Sequence, residues 1–375
     1  MPRQEGNRME NERMLILQMV AEKKITAAEA VELLKALEPS SKGARAGWVP
    51  EPPAPPAPPT PPRPPEMPES PEASRHVPEH LSDDIASRIG SLVEGLISNF
   101  GFGFGDGFKF EETVEGTFDA GDFVPEIDFK TSNGRVAIES WNQPGYMVKL
   151  IKRVKAPSEQ DARAHAADMA RIERDGKRLS IRFNQPQPMI FGSHGLAIIA
   201  FLPKDRAYRF LLQTANGRVE MKDLKATSVD ATTSNGVVKL DAVEAERVET
   251  RTSNGKMLLK TSAKDVKAHS SNGRITVIPV GAVGDAQYDL HTSNGSIKVQ
   301  SGKPDGIGFS FDLRTTNGKI NVEEAGLEYE VNEKHHGSRR VKAVSKGFEE
   351  ASRKISVAAH TSNGSISVGD WVEWE

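Results

Sequence analysis

The chain has 375 residues, a formal net charge of −3 and no cysteine. The missing cysteine excludes disulfides, iron–sulfur clusters, thiolate zinc sites and cysteine catalysis, and the balanced charge excludes nucleic-acid binding by bulk electrostatics. Hydrophobic residues reach only 37%, below the roughly 45–50% of an average domain, so part of the chain is expected to lack a core.

Residues 1–38 read as a small helical hairpin. Met14, Leu17 and Val20 recur at helical spacing. Thr26 and Glu29 then form a capping box ahead of Ala30, Val31, Leu34 and Leu37, and Pro39 ends the second helix. Two such helices cannot bury a stable core alone, so residues 8–38 are expected to dock on a copy of themselves, a partner or the rest of the chain. No apolar signal-peptide core precedes them, which predicts a soluble, cytoplasmic protein that is at most envelope-associated.

Residues 39–80 hold 15 of the 24 prolines. Proline restricts itself and its predecessor, so this is an extended linker that reaches roughly 70 Å between Pro50 and Pro71. Residues 81–108 begin with an amphipathic pattern: Leu81, Ile85, Ile89, Leu92, Val93, Leu96, Ile97 and Phe100 share one helical face. Its polar face carries Asp83, Asp84 and Glu94 against Arg88. That favours docking or self-association through 81–100 over a lipid surface, which would draw on Lys and Arg. The Phe/Gly stretch from Phe100 to Phe110 does not match a nucleotide-binding glycine motif.

From residue 109 to 375 the dominant signal is repetition. Asn-Gly pairs begin at Asn133, Asn216, Asn235, Asn254, Asn272, Asn294, Asn317 and Asn363, and the short intervals are 19, 19, 18, 22 and 23 residues. Asp175-Gly176, His194-Gly195 and His336-Gly337 sit where degenerate copies would fill the long gaps. Three places after each Asn the residue is Val, Met or Ile, and five places after it is Ile, Met, Leu or Val. Six places before it stand Ile127, Phe210, Val229, Val248, Val266, Tyr288, Phe311 and Val357. Each unit is a strand, a corner at Asn-Gly and a second strand, with apolar residues at period two. Asn and Gly tolerate positive φ, which predicts a sharp turn at each pair.

Two architectures fit: a row of Asn-Gly hairpins, or a mainly β fold of the β-solenoid (β-helix) type with equivalent strands stacked in parallel. The period of about 20 residues and the thin aliphatic columns favour the solenoid. Within it, Ser158 to Arg174 reads as an inserted helix with Ser158 as N-cap and Gly176 beyond its end. Trp371 and Trp374 are expected to protect the last coil as the edge of the stack.

The segments Glu12–Thr26 and Ala30–Leu34 resemble the SHOCT-like helical module of bacterial proteins. The units Thr-Ser-Asn-Gly-x-(Val/Ile)-x-(Val/Leu) resemble the adhesin-related β-strand-repeat family DUF4097. The combination is similar to bacterial proteins of cell-envelope stress. The resemblance implies a β-helical, non-enzymatic protein and supplies no catalytic, cofactor-binding or metal-ligating residue to carry over.

The outward columns offer the candidate site. Five places before Asn stand Asp128, Leu211, Asp230, Glu249, Lys267, Asp289, Asp312 and Ala358. Three places before it stand Lys130, Gln213, Thr232, Arg251, His269, His291, Arg314 and His360. The two columns together read as an ion-paired surface. The sharper reading stacks Arg251, His269, His291 and Arg314 into a basic ladder for an anionic envelope polymer or membrane surface, strengthened by histidine protonation. The expectation is a non-enzymatic binding scaffold. Its alternatives are a carbohydrate-active enzyme on the same scaffold and a structural protein that polymerises end to end.

Overall fold

The computed structural model describes residues 107–184, 194–280, 284–301, 306–323 and 326–370. The chain divides into two compact units, Met1–Ala86 and Ser87–Glu375, and every described residue belongs to the second. The expected helical hairpin, the proline linker, the 81–100 segment, Trp371 and Trp374 lie outside the described residues.

The first part of the unit holds β1 (Phe108–Gly116), β2 (Glu126–Lys130), β3 (Val136–Trp141), β4 (Tyr146–Val154), α1 (Glu159–Ala167), β5 (Ala170–Arg174), β6 (Arg178–Phe183) and β7 (Gly195–Pro203). β8 (Tyr208–Asn216), β9 (Val219–Lys222) and the long β10 (Lys225–Pro279) follow. The last part holds β11 (Ala286–Asn294), β12 (Ile297–Gln300), β13 (Ile307–Val322), β14 (Leu327–His335), β15 (Ser338–Ser345) and β16 (Arg353–Gly369).

The strands form a β-solenoid. Strands before the Asn-Gly corner stack in parallel on each other, as in Val229 beside Phe210 and Asn235 beside Asn216. Strands after the corner do the same, as in Val238 beside Val219. β10 is 55 residues long and passes through the coils of Asn235, Asn254 and Asn272. A hairpin row would pair these strands antiparallel, so that alternative is excluded.

The three apolar columns are the core. Phe210, Val248, Val266, Tyr288, Val238, Met257, Leu240 and Leu259 are all 0% exposed. Each buried side chain of this size contributes about 1.5–3 kcal/mol. Stacked Val, Ile, Leu and Met from successive coils fill much of the thin interior, and Phe129, Phe210, Tyr208 and Tyr288 are its largest fully buried side chains.

The coils do not stack in chain order. The coil of Asn133 lies between that of β6 and β7 and that of β8 and β9. At the other end β16 pairs with β11 on one side and β13 on the other, so the last coil in sequence is wedged into the stack. The expectation that it forms the edge is therefore corrected. Beyond β13 lie β15 and β14, both antiparallel. At the first end β5 is antiparallel to β6, and β4 is antiparallel to both of its neighbours, β1 and β7.

The inserted helix is shorter than predicted. Ser158 caps it as expected, with its hydroxyl oxygen accepting from the Asp161 amide at 3.2 Å. The helix ends at Ala167, and Ala170–Arg174 form β5 instead, because these residues find a partner strand in β6. Gly176 serves the turn between β5 and β6 (φ 81°) rather than a helix end.

Candidate functional site

The eight Asn residues form one continuous amide ladder. Asn216 Nδ2 donates to Asn133 Oδ1 at 2.8 Å, and the same bond repeats through Asn235, Asn254, Asn272, Asn294 and Asn363 at 2.8–2.9 Å. Asn317 closes the series by donating to Asn363 at 3.0 Å. At the first end Asn133 donates to the His194 carbonyl at 3.3 Å, so His194-Gly195 fills a repeat position as expected. At the far end the Gly337 carbonyl accepts from the Gly318 amide at 3.3 Å. His336-Gly337 therefore belongs to a hairpin turn over the ladder end and not to a coil, and both residues have positive φ.

The reason for the glycines differs from the sequence expectation. None of the eight Asn-Gly glycines lies in the left-handed region. A Cβ on Gly236 would instead stand 1.7 Å from the carbonyl oxygen of Gly217 in the next coil. Close approach of stacked backbones, not local turning, forbids any side chain there. Threonine two places before Asn completes the corner. Thr214, Thr233, Thr292, Thr315 and Thr361 each donate to a glycine carbonyl of the adjacent coil at 3.1–3.3 Å. The sharp positive-φ corners fall at Asp223 and Ala242, seven places after Asn216 and Asn235.

Beside this ridge the column three places before Asn forms the candidate binding row. Arg251, His269 and His291 are on successive coils as predicted, with His269 and His291 in register. Arg314 is not the next member. The wedged β16 places His360 between His291 and Arg314, so the row runs Arg251, His269, His291, His360, Arg314. His269 and His291 stack at 4.9 Å between ring centroids with planes 7° apart, and His291 and His360 at 5.1 Å and 10°. His360 was visible in the sequence column, but periodicity says nothing of which copies are spatial neighbours.

The ends of the row are ion-paired. Arg251 pairs with Glu249 of its own strand. Arg314 pairs with Asp312 at 2.7 Å, and Arg340 of β15 approaches the same carboxylate at 3.4 Å. The Arg314 hydrogen bond, aided by Arg340 and opposed by burial, holds the Asp312 carboxyl below its usual value. In the middle, burial pushes the His291 imidazole below the usual histidine value. His269 and His360 add to the shift and Asp289 opposes it. A shallow groove of about 200 Å³ opens here, lined by Arg251, Lys267, His269, Asp289 and His291 among others. The ordinary ion-paired face and the basic row thus coexist: carboxylates neutralise the arginines, while three imidazoles stack in a line between them.

Among the described residues no group of three or more His, Asp and Glu is placed to hold a metal ion. No helix among them is long and apolar enough to cross a membrane.

Comparison with known proteins places the repeats. A family model for Toastrack DUF4097 matches residues 204–369, and one for the SHOCT-like domain matches residues 11–42. The search of curated proteins gave no match. Among solved structures, a "putative cell adhesion protein" from Clostridium sporogenes is 12% identical with a TM-score of 0.31, covering 71% of this chain and 100% of its own. A "putative adhesin" from Bacteroides fragilis is 13% identical with a TM-score of 0.35, covering 69% and 97%. One from Parabacteroides distasonis is 12% identical with a TM-score of 0.31, covering 70% and 98%. The repeat region is a Toastrack DUF4097 region over residues 204–369, in a chain that also carries a SHOCT-like segment at residues 11–42.

Proposed function

We propose that this protein is a non-enzymatic binding scaffold whose solenoid presents the row Arg251, His269, His291, His360 and Arg314 to a linear array of phosphodiesters, as in an anionic envelope polymer or a lipid surface. The carrying observation is the in-register stack of three imidazoles between two arginines. With coils about 4.8 Å apart, four intervals extend the row over about 19 Å, the scale of a few polymer units. A phosphodiester chain laid along it would draw protons onto the histidines and release the arginines from their carboxylates. Self-association through residues 8–38 belongs to the same proposal and rests on two helices too small to bury a core alone; a setting in envelope stress rests on the combined resemblance of the SHOCT-like segment and the repeats.

The test is binding of the full chain to poly(glycerol phosphate) and to phosphatidylglycerol vesicles, at pH 5.5 and 7.5. The comparison is a variant with all five row residues changed to Ser. Wild type should bind more tightly at the lower pH and lose affinity with added salt. Polymer and vesicle arms separate the two sources of phosphodiester. Equal binding by the variant, or no binding by wild type in either arm, overturns the proposal.

A further inference from the structure

The sheet that joins β1, β4, β7 and β3 has two faces set by strand alternation. Its inner face carries Val148, Leu150, Ile198, Ala200 and Val136, all part of the hydrophobic core. α1 lies on this inner side, since Ala162 and Ala166 belong to the same core. The opposite face of a solenoid sheet normally meets water, and in β10 it carries Lys, Glu, Asp and Thr.

Here it carries Met147, Ile151, Ala197, Ile199 and Phe201, with Lys149 beside Ile199 and ion-paired to Glu111 at 2.6 Å. The register sets Met147 beside Phe201 and Ile151 beside Ala197. Trp141 reaches the Phe201 ring at 5.6 Å. Met147, Ile151, Ala197, Ile199 and Phe201 are 8%, 3%, 1%, 2% and 4% exposed. None of the five is part of the core, and the described α1 packs on the other side of the sheet.

We infer that residues 87–100 of the same chain form the cover of this face. Ile89, Leu92, Val93, Leu96, Ile97 and Phe100 supply an apolar stripe at helical spacing. Connection and reach argue for this occupant. The described chain starts at Gly107, at the head of β1, the edge strand of this sheet. Phe108 pairs with Val154, at the end of the sheet where Ile151 and Ala197 lie. The eight residues from Phe100 to Phe108 span up to roughly 26–29 Å. From β1 to β3 is three strand spacings, about 14 Å. Fourteen helical residues are about 21 Å long, enough to lie along the stripe. A tether this short holds the segment at millimolar effective concentration, so a second copy or another partner would compete at a disadvantage. The segment then acts as the joint between the proline linker and the solenoid.

The absence of native cysteine makes the test direct. In the full chain, Ile199→Cys is combined in turn with Leu92→Cys, Leu96→Cys and, as a polar-face control, Glu94→Cys. A short bis-maleimide, which adds a cysteine thiol at each end, should link Ile199→Cys to Leu92→Cys or Leu96→Cys within one chain, roughly tenfold faster than to the control, as a tethered contact requires. Links between chains would assign the face to a second copy and overturn the inference. No link to either apolar position would assign it to another protein or a lipid and overturn it equally. A second full-length variant, Leu92→Asp with Leu96→Asp, leaves the solenoid residues unchanged. It should raise binding of a dye for exposed apolar surface severalfold at constant β-sheet circular dichroism, and no rise would contradict the docking.

Discussion

At Gly236 the nearest atom to an added Cβ is a backbone carbonyl oxygen 1.7 Å away, which no side-chain rotation relieves. Gly236→Ala should therefore cost about 3 kcal/mol or more, at the upper end of overpacking effects. Gly284 has φ 46° and nothing within 4 Å of its Cβ position, so Gly284→Ala should cost only the conformational strain of about 1–2 kcal/mol. Thermal melts of the two variants decide the point: equal losses would mean that the coils can move apart. Ala242 presents the opposite case. It holds φ 53° with a Cβ, so Ala242→Gly should leave stability unchanged or raise it by up to about 1 kcal/mol, whereas Ala268→Gly in the core should lower it. A drop in melting temperature for Ala242→Gly would refute this. The position of Gly236 was legible in the sequence as a column, whereas the positive-φ positions Ala242 and Gly284 were not. The cause of the Asn-Gly glycines was not legible either, because it resides in the backbone of the neighbouring coil and leaves no local signature.

Among the elements, α1 and β7 meet through a histidine pair. His165, in the last turn of α1, and His194, just before β7, have ring centroids 6.0 Å apart. His194 is 5% exposed, and neither Nδ1 has a hydrogen-bond partner. Burial, and then His165, lower the His194 pKa. A base with a depressed folded pKa binds its proton more readily in the unfolded chain. Its stabilising effect is complete above the unfolded value near 6.5 and is lost as pH falls from there toward the folded value. His291 acts in the same direction. The melting temperature should thus decline from pH 7.5 to 5.5, and His194→Leu should flatten part of that decline; an unchanged slope would exclude His194 as a contributor. The start of α1 was readable from Ser158, whose cap is local chemistry. Its end was not, since Ala170–Arg174 has helix-compatible composition and becomes β5 only through pairing with β6.

For the compact unit as a whole, the eight Asn-Gly coils were legible from periodicity, but of the three expected degenerate copies only His194-Gly195 is a coil: Asp175-Gly176 is the β5–β6 turn and His336-Gly337 the β14–β15 turn. The order of the coils was not legible, because equal copies are interchangeable in sequence and are told apart only by the connections. Coil order decides what the ends look like. The wedged β16 leaves β14 as the outermost strand at one end, where Glu328, Glu330, Glu333 and Lys334 are exposed and a register shift falls between Tyr329 and Val331. Charge and irregularity on an edge strand oppose pairing with another sheet. At the other end of the same side of the stack β5 is only five residues long, too short to template a long partner. Both ends are antiparallel caps on a parallel stack, which is an argument against end-to-end polymerisation despite the ladder of repeats. Replacing Glu328, Glu330 and Glu333 with Thr keeps the strand former and removes the repulsion. Sedimentation of this variant should show elongated assemblies that grow with concentration beyond any association of the wild-type chain. If variant and wild type sediment alike across the same concentrations, the charges on β14 are not what ends the stack.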